Sequence, residues 1–234
     1  MRILLGSGGF RTQERIDFLA SRMKDFFGDI PSLLFVPYAL ADHDRYVAEM
    51  TEKGINAGYH LFGIHLKDDP KEAIKDAHGL FVGGGNTFRL LKTLYDLELV
   101  ELIRERVTEG MPYLGISAGA NIASPTIMTT NDMPITQPPK FESLGLVPFQ
   151  LNPHYYSGNS YVKVDGEYHP HFGETRDDRI REFHELNDTP VVGLWEAGTL
   201  RIEDKTMTLD GAPAKLFRKG KDPVDIKPPA SFPL

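Results

Sequence analysis

The sequence has no cysteine among its 234 residues, which excludes disulfide bonds, thiolate metal ligands and a cysteine nucleophile. Long apolar runs are also missing. No stretch approaches the length of a membrane span, and the apolar run within residues 1–9 is too short for a signal peptide. Basic residues are outnumbered by acidic ones, 26 to 33, which gives a net charge of −7. We therefore expect a cytoplasmic protein that binds neither nucleic acid nor membranes.

Short apolar segments alternate with amphipathic segments over the first half of the chain. This pattern predicts parallel strands joined by crossover helices, in a doubly wound, mostly parallel sheet with helices on both faces. Short strand-like segments after residue 190 predict a small C-terminal antiparallel strand group. We expect a single α/β domain over residues 1–234, with a long loop at 157–173 and a loosely attached tail from about residue 223.

A Gly-x-Ser-x-Gly motif occupies residues 115–119, after an apolar segment and before a run of small residues able to start a helix. The motif is typical of a strained strand-to-helix turn, which lifts a serine hydroxyl clear of the backbone at the end of a sheet. Glycines flank so tight a turn because larger side chains would collide there. The motif predicts that Ser117 is a catalytic nucleophile.

A serine hydroxyl becomes a good nucleophile only when a base takes its proton and a third group orients that base. His154 is the best candidate base, since it follows a proline at a predicted strand end, whereas most other histidines lie in amphipathic stretches. Glu196 follows a buried strand and is a candidate third member, but the sequence alone leaves this role open among many carboxylates. The backbone amides of Ala118 and Gly85 are the candidate donors to an oxyanion.

Two other features suggest different chemistry. The glycine-rich segments Gly83–Gly85 and Gly6–Gly9 resemble phosphate-binding loops, but neither completes a dinucleotide or P-loop motif. His169 and His171 could form a metal pair, but no third ligand is suitably spaced. We therefore expect neither a metal nor a cofactor.

Five motifs together resemble the peptidase E family, and the resemblance covers nearly the whole chain. They are VGGGNTF at 82–88, GISAGAN at 115–121, TTNDMPI at 129–135, NPH at 152–154 and GETR at 173–176. Peptidase E is an α-aspartyl dipeptidase, a serine peptidase on a class I glutamine amidotransferase-like (flavodoxin-like) fold. The resemblance implies hydrolysis of dipeptides with an N-terminal aspartate through an acyl-enzyme, without metal or cofactor. We expect a monomer or homodimer.

The resemblance also assigns roles to particular residues. They are the nucleophile Ser117, the base His154, the acidic third member Glu196, the oxyanion donors Gly85 and Ala118, the aspartyl-binding Arg176, and the further substrate-binding residues Asn86, Asn131 and Asp132. Arg176 stands out on physical grounds too. It lies in the first turn of a predicted helix, where a cation opposes the helix dipole, and a residue placed against its local preference is a candidate for function.

Three alternative functions compete with this interpretation. A cyanophycinase-like peptidase of the same superfamily would cut at β-linked aspartyl residues instead. A glutamine amidotransferase would need a cysteine and an acidic residue two positions after the histidine, where this chain has Tyr156. A non-catalytic binding protein on this fold is disfavoured because serine, histidine and acid are retained together.

Overall fold

A sheet of eight strands lies at the centre of the fold in a computed structural model that describes residues 1–233. Five neighbouring strands are parallel, and helices connect them along the chain. From one edge inward they are β3 (His60–Gly63), β2 (Ser32–Val36), β4 (Leu80–Val82), β5 (Tyr113–Ile116) and β1 (Arg2–Gly6).

Antiparallel strands from the C-terminal part of the chain extend this sheet beyond β1. They are β10 (Thr199–Glu203), β11 (Thr206–Asp210) and β14 (Ala230–Pro233). A second sheet of four strands lies in the order β13 (Val224–Ile226), β12 (Ala214–Phe217), β9 (Val191–Trp195) and β6 (Gln150–Tyr155). A separate hairpin joins β7 (Tyr161–Val164) to β8 (Glu167–Pro170).

Most helices begin at a capping residue. Its side chain accepts a hydrogen bond from a backbone amide of the first turn, where the amides have no partner within the helix. These caps are Thr12, Asp42, Asp69, Asn86 and Thr175. The α-helices are α1 (Gln13–Phe27), α2 (His43–Glu52), α3 (Pro70–Asp76), α4 (Thr87–Asp96), α5 (Val100–Thr108), α6 (Ala118–Asn121) and α7 (Arg176–Leu186), and Ile64–Leu66 form a 3₁₀ turn. Within residues 1–233, no helix is both long and apolar enough to cross a membrane.

Alternate residues of the parallel strands pack into two different apolar clusters, as strand geometry requires. Leu33 and Phe35 of β2 belong to the cluster that α1 and α2 cover. Leu34 and Val36 belong to the cluster on the opposite face, which includes α3, α4 and α5. The prediction of a mostly parallel, doubly wound sheet with helices on both faces is therefore confirmed.

The predicted long loop at residues 157–173 is wrong, because this segment contains the β7–β8 hairpin. Its two strands meet at Asp165 and Gly166, both at positive φ, which suits a two-residue hairpin turn. Both strands are exposed along their whole length. Without a buried face, the segment lacks the apolar-polar alternation by which a half-buried strand is recognised.

The predicted loose tail is also wrong. β13 pairs with β12, and β14 pairs with β11 at the far edge of the main sheet. The prolines of this segment are compatible with pairing because edge strands tolerate residues that cannot donate on their open side. Ile226, Ala230 and Phe232 are partly buried against the main core.

We expect Phe232→Ala to lower the free energy of unfolding by about 2 kcal/mol, the cost of removing a partly buried aromatic ring. Phe172→Ala is the matched control, since Phe172 is fully exposed and its loss should change stability by less than about 0.5 kcal/mol. Urea denaturation of both variants measures the difference. Equal stabilities would mean that the C-terminal strand is not docked.

Candidate active site

Ser117 lies at the turn between β5 and α6, at the carboxyl end of the parallel sheet. Its backbone adopts φ 55° and ψ −110°, a strained conformation for a residue with a side chain. Its amide donates to the carbonyl of Gly6 on the neighbouring strand (2.9 Å). A Cβ at Gly119 would collide with the carbonyl oxygen of Val82, so the last glycine of the motif allows α6 to pack against β4. The predicted strand-turn-helix context is present.

His154 lies near the end of β6, where the pairing with β9 changes register between Pro153 and Tyr155. Such a bulge re-aims a side chain, and the positive φ of His154 (56°) marks the distortion. The imidazole Nε2 lies 2.8 Å from the hydroxyl oxygen of Ser117. At this distance the ring can accept the hydroxyl proton.

Glu196 follows β9 and completes a hydrogen-bonded chain. Its Oε1 lies 2.8 Å from Nδ1 of His154. A carboxylate on Nδ1 fixes the tautomer that leaves Nε2 free to accept a proton from Ser117. The structure thus brings together the three residues that the sequence pointed to, including the acid that sequence reasoning left open.

The hydrogen bond from His154 lowers the pKa of Glu196, and the positive charges of Arg15 and Arg11 act in the same direction while burial opposes them. Glu196 therefore stays ionised to a lower pH than an ordinary glutamate. The stability that this contact contributes is present above the pKa of the unfolded carboxyl and is lost as the pH falls through the lower folded value. The imidazole consequently faces an anion throughout the neutral range.

Residues 6–9, which are the last residue of β1 and the three that follow it, contact the backbone at Ser117 and His154 and the backbone next to Glu196. Gly6 accepts the amide of Ser117. The hydroxyl of Ser7 accepts the amide of His154 (2.8 Å) and donates to the carbonyl of Leu194 (2.8 Å). Ser7 is completely buried, so neither bond has water as a substitute.

The next two residues of this segment fix the position of the acid. The carbonyl of Gly8 accepts the amide of Ala197 (2.7 Å), the residue after Glu196. Gly9 lies so close that a Cβ there would collide with the Glu196 carboxylate. The sequence indicates only an incomplete phosphate-loop motif at residues 6–9 and does not predict this role. One feature could have predicted it. These residues follow β1, and β1 pairs in parallel with β5, the strand that leads to Ser117.

The candidate oxyanion donors are Ala118, which follows Ser117 in the chain, and Gly85, whose neighbour Gly84 lies against the Ser117 side chain. Ala118 is the first residue of α6, so its amide has no partner within the helix. Gly85 follows β4, the strand next to β5, and its amide donates to no acceptor within residues 1–233. Both amides are thus available to a substrate oxygen, and their role as an oxyanion hole stays a prediction.

Arg176 opens α7, and its helix is anchored by a capping box between Thr175 and Asp178. The guanidinium lies over the ring of Tyr156, 5.4 Å from its centroid. Burial lowers the pKa of Arg176, and its Nε is buried without a hydrogen-bond partner in the described part of the chain. A half-buried cation with an unused donor is suited to a negatively charged ligand.

The other predicted substrate-binding residues make hydrogen bonds within the protein. Asn86 donates to the carbonyl of Met133 (2.8 Å), and Asn131 donates to the carbonyl of Pro153 (2.7 Å). Asp132 accepts the amide and hydroxyl of Thr87 (2.8 and 2.6 Å). These bonds attach the 129–135 segment to α4 and to the strand that carries His154. Direct contact of these side chains with substrate stays a prediction.

The histidine pair of the exposed hairpin is not part of this site. The Nδ1 of His171 accepts the amide of Gly173 (2.9 Å), and His169 lies on β8. Among residues 1–233, no group of three or more metal-binding side chains comes together.

Comparison with known proteins shows that the chain is a peptidase. A crystal structure of a peptidase from an acI-B1 Actinobacterium shares the fold, with a TM-score of 0.69 and 19% identity over all of this chain and 96% of its own. "Peptidase family S51" matches residues 2–209, and the chain belongs to this family. "Peptidase E" of Streptomyces coelicolor is 46% identical over 230 residues, which are 97% of this chain and 91% of the relative.

A Drosophila melanogaster protein named "Probable alpha-aspartyl dipeptidase" is 40% identical over 234 residues, which are 98% of this chain and 95% of the relative. The predicted resemblance to peptidase E and the predicted peptidase class are therefore confirmed.

We expect Ser7→Ala to slow the labelling of Ser117 by a serine-directed phosphonate by about tenfold or more, because His154 would lose the bond that fixes its backbone. The variant should also lose about 1–3 kcal/mol of stability, since the His154 amide and Leu194 carbonyl are left unpaired. Ser143→Ala is the control, as its buried hydroxyl bonds only the Ser124 carbonyl within residues 1–233. Labelling of both variants at the wild-type rate would exclude a positioning role for Ser7.

Proposed function

We propose that the protein is a serine dipeptidase that hydrolyses dipeptides with an N-terminal aspartate. The observation that carries the proposal is the hydrogen-bonded chain from Ser117 through His154 to Glu196, in a member of a peptidase family. The names of its relatives support the aspartyl specificity. Short peptides are the substrates, and neither metal nor cofactor takes part.

In the first half of the reaction, His154 takes the hydroxyl proton of Ser117 while the oxygen attacks the scissile carbonyl carbon. The carbonyl oxygen becomes an oxyanion, which the amides of Gly85 and Ala118 stabilise. Glu196 stabilises the imidazolium without accepting its proton. His154 then gives the proton to the leaving nitrogen, the C–N bond breaks, and the aspartyl group remains as an ester on Ser117.

In the second half, water takes the place of the departed amine. His154 removes a proton from this water as its oxygen attacks the ester carbon, and the same two amides again stabilise the oxyanion. Collapse of the intermediate breaks the bond to Ser117, which recovers its proton from His154. Free aspartate leaves, and the enzyme returns to its starting state.

Arg176 binds the side-chain carboxylate of the substrate aspartate. A carboxylate that enters a pocket loses its water, and a fixed cation offsets that cost. The partly buried guanidinium is suited to this task because its planar fork grips a carboxylate with two parallel hydrogen bonds. The same site rejects asparagine, which would leave the cation without an anionic partner.

We expect Ser117→Ala and His154→Ala each to reduce kcat for Asp-Leu by about 10⁴-fold or more, with unchanged circular dichroism. The double variant should be no slower than the slower single variant, because both residues serve one step. Steady-state hydrolysis measured by release of leucine gives all three rates. If the two losses multiplied, the residues would act in independent steps and the proposed mechanism would fail.

We expect Arg176→Ala to lower kcat/KM for Asp-Leu by about 10²-fold, the usual cost of breaking a desolvated charge pair. Arg179→Ala is the control, since Arg179 lies on the same helix but is exposed and faces Glu174. Phosphonate labelling of Ser117 should be unaffected in both variants.

Wild type should cleave Asp-Leu far better than Asn-Leu or β-Asp-Leu. Preference for β-Asp-Leu would favour the cyanophycinase-like alternative.

A further inference from the structure

A cleft of about 590 Å³ opens beside Ser117, and the proposed catalytic steps leave most of it unused. This volume lies within the range of small-molecule sites. Ser117 and His154 line it together with Gly8, Gly9 and Gly84. Its walls are mainly apolar and are built from Phe10, Ile16, Tyr46, Met50, Ile55 and Ile116.

The position of the cleft identifies the half of the substrate that it can hold. His154 must deliver a proton to the leaving nitrogen, so the leaving group lies on the side of Ser117 where the imidazole stands. The cleft is bordered by His154 and by the two glycines that pack against His154 and Glu196. Arg176 does not line it. The cleft is therefore on the leaving-group side, and the proposed aspartyl-binding residue is not part of its lining.

The charged residues that line the cleft differ in whether they have a partner of opposite charge. Glu49 is occupied on both carboxylate oxygens, by Lys53 (2.8 Å) and Arg45 (3.1 Å). Burial raises the pKa of Tyr46 to about 12, so that wall residue is neutral. Arg11 also lines the cleft, and within residues 1–233 its side chain makes neither a hydrogen bond nor an ion pair. Within the described part of the chain, Arg11 is thus a cation at the cleft that no anion contacts directly.

We propose that this cleft binds the second residue of the dipeptide, with Arg11 holding its free α-carboxylate and the apolar walls holding its side chain. The inference rests on the proposed function, because it requires a peptide bond at Ser117. An apolar wall favours a leaving residue such as leucine, and a guanidinium pairs well with a terminal carboxylate. Arg11 is thereby a specificity residue that selects dipeptides over longer or amidated substrates.

Arg15 provides a matched control. It contributes, like Arg11, to the positive charge that lowers the pKa of Glu196, but it does not line the cleft. Removal of either charge raises the pKa of Glu196. A change that appears only in the Arg11 variant therefore reports contact with substrate and not the field at the acid.

The test compares hydrolysis of Asp-Leu and Asp-Leu amide by wild type, Arg11→Gln and Arg15→Gln. We expect wild type to prefer the acid to the amide by about tenfold in kcat/KM, and Arg11→Gln to abolish this preference by raising KM for the acid. The kcat for Asp-Leu should stay near the wild-type value. Arg15→Gln should change hydrolysis of the acid and the amide equally. Ile55→Ala tests the apolar wall, and it should lower kcat/KM for Asp-Leu relative to Asp-Gly by about threefold or more.

The outcomes separate the two proposals. If wild type cleaves Asp-Leu but treats acid and amide alike, Arg11 does not bind the carboxylate and only this inference fails. The same holds if Arg11→Gln and Arg15→Gln change both substrates equally, since both would then act through Glu196. If wild type cleaves neither substrate while its Ser117 is labelled by the phosphonate, the aspartyl dipeptidase function fails, and this inference fails with it.

Discussion

The geometry of the site depends on one buried hydroxyl and the short segment around it. Ser7 links the strand that carries His154 to the end of the strand that precedes Glu196, and its neighbour Gly6 holds the amide of Ser117. Three residues far apart in the chain thus share one reference point at the end of β1. Catalysis by proton transfer needs distances held to a fraction of an ångström, and a common anchor gives that accuracy better than three separate loops.

This anchor also explains how the site maintains an unfavourable backbone. Ser117, His154 and Ala197 all have positive φ, and each such residue costs on the order of 1–3 kcal/mol. Strain of this kind persists only where the surroundings over-determine the conformation. The amide of each of these three residues donates a buried hydrogen bond to residues 6–8. The strained residues are therefore the ones that this segment holds in place.

The parallel sheet, the serine turn and the base could be predicted because their signals are local. Alternating strands and helices, Gly-x-Ser-x-Gly and a histidine at a strand end are visible in short windows. The acid and the anchor could not be derived in this way. Glu196 is one carboxylate among many until the fold places it on His154, and Ser7 is an ordinary serine until it is buried. The exposed β7–β8 hairpin and the edge strands β13 and β14 were not predicted, because strands without a fully buried face lack a clear apolar pattern in the sequence.

The two arginines that we propose to bind substrate differ in burial, and this difference bears on what each can select. Arg176 is half-buried, and its Nε has no hydrogen-bond partner within residues 1–233. If Arg176 binds the substrate as proposed, an uncharged group opposite it leaves a desolvated cation and is strongly rejected. Arg11 is exposed at the rim of an open cleft, where water replaces a missing carboxylate at small cost. In the proposed mode of binding, the first residue of the dipeptide is therefore recognised strictly and the second only by preference. The distance between two charges on either side of Ser117 then sets the length of peptide that fits.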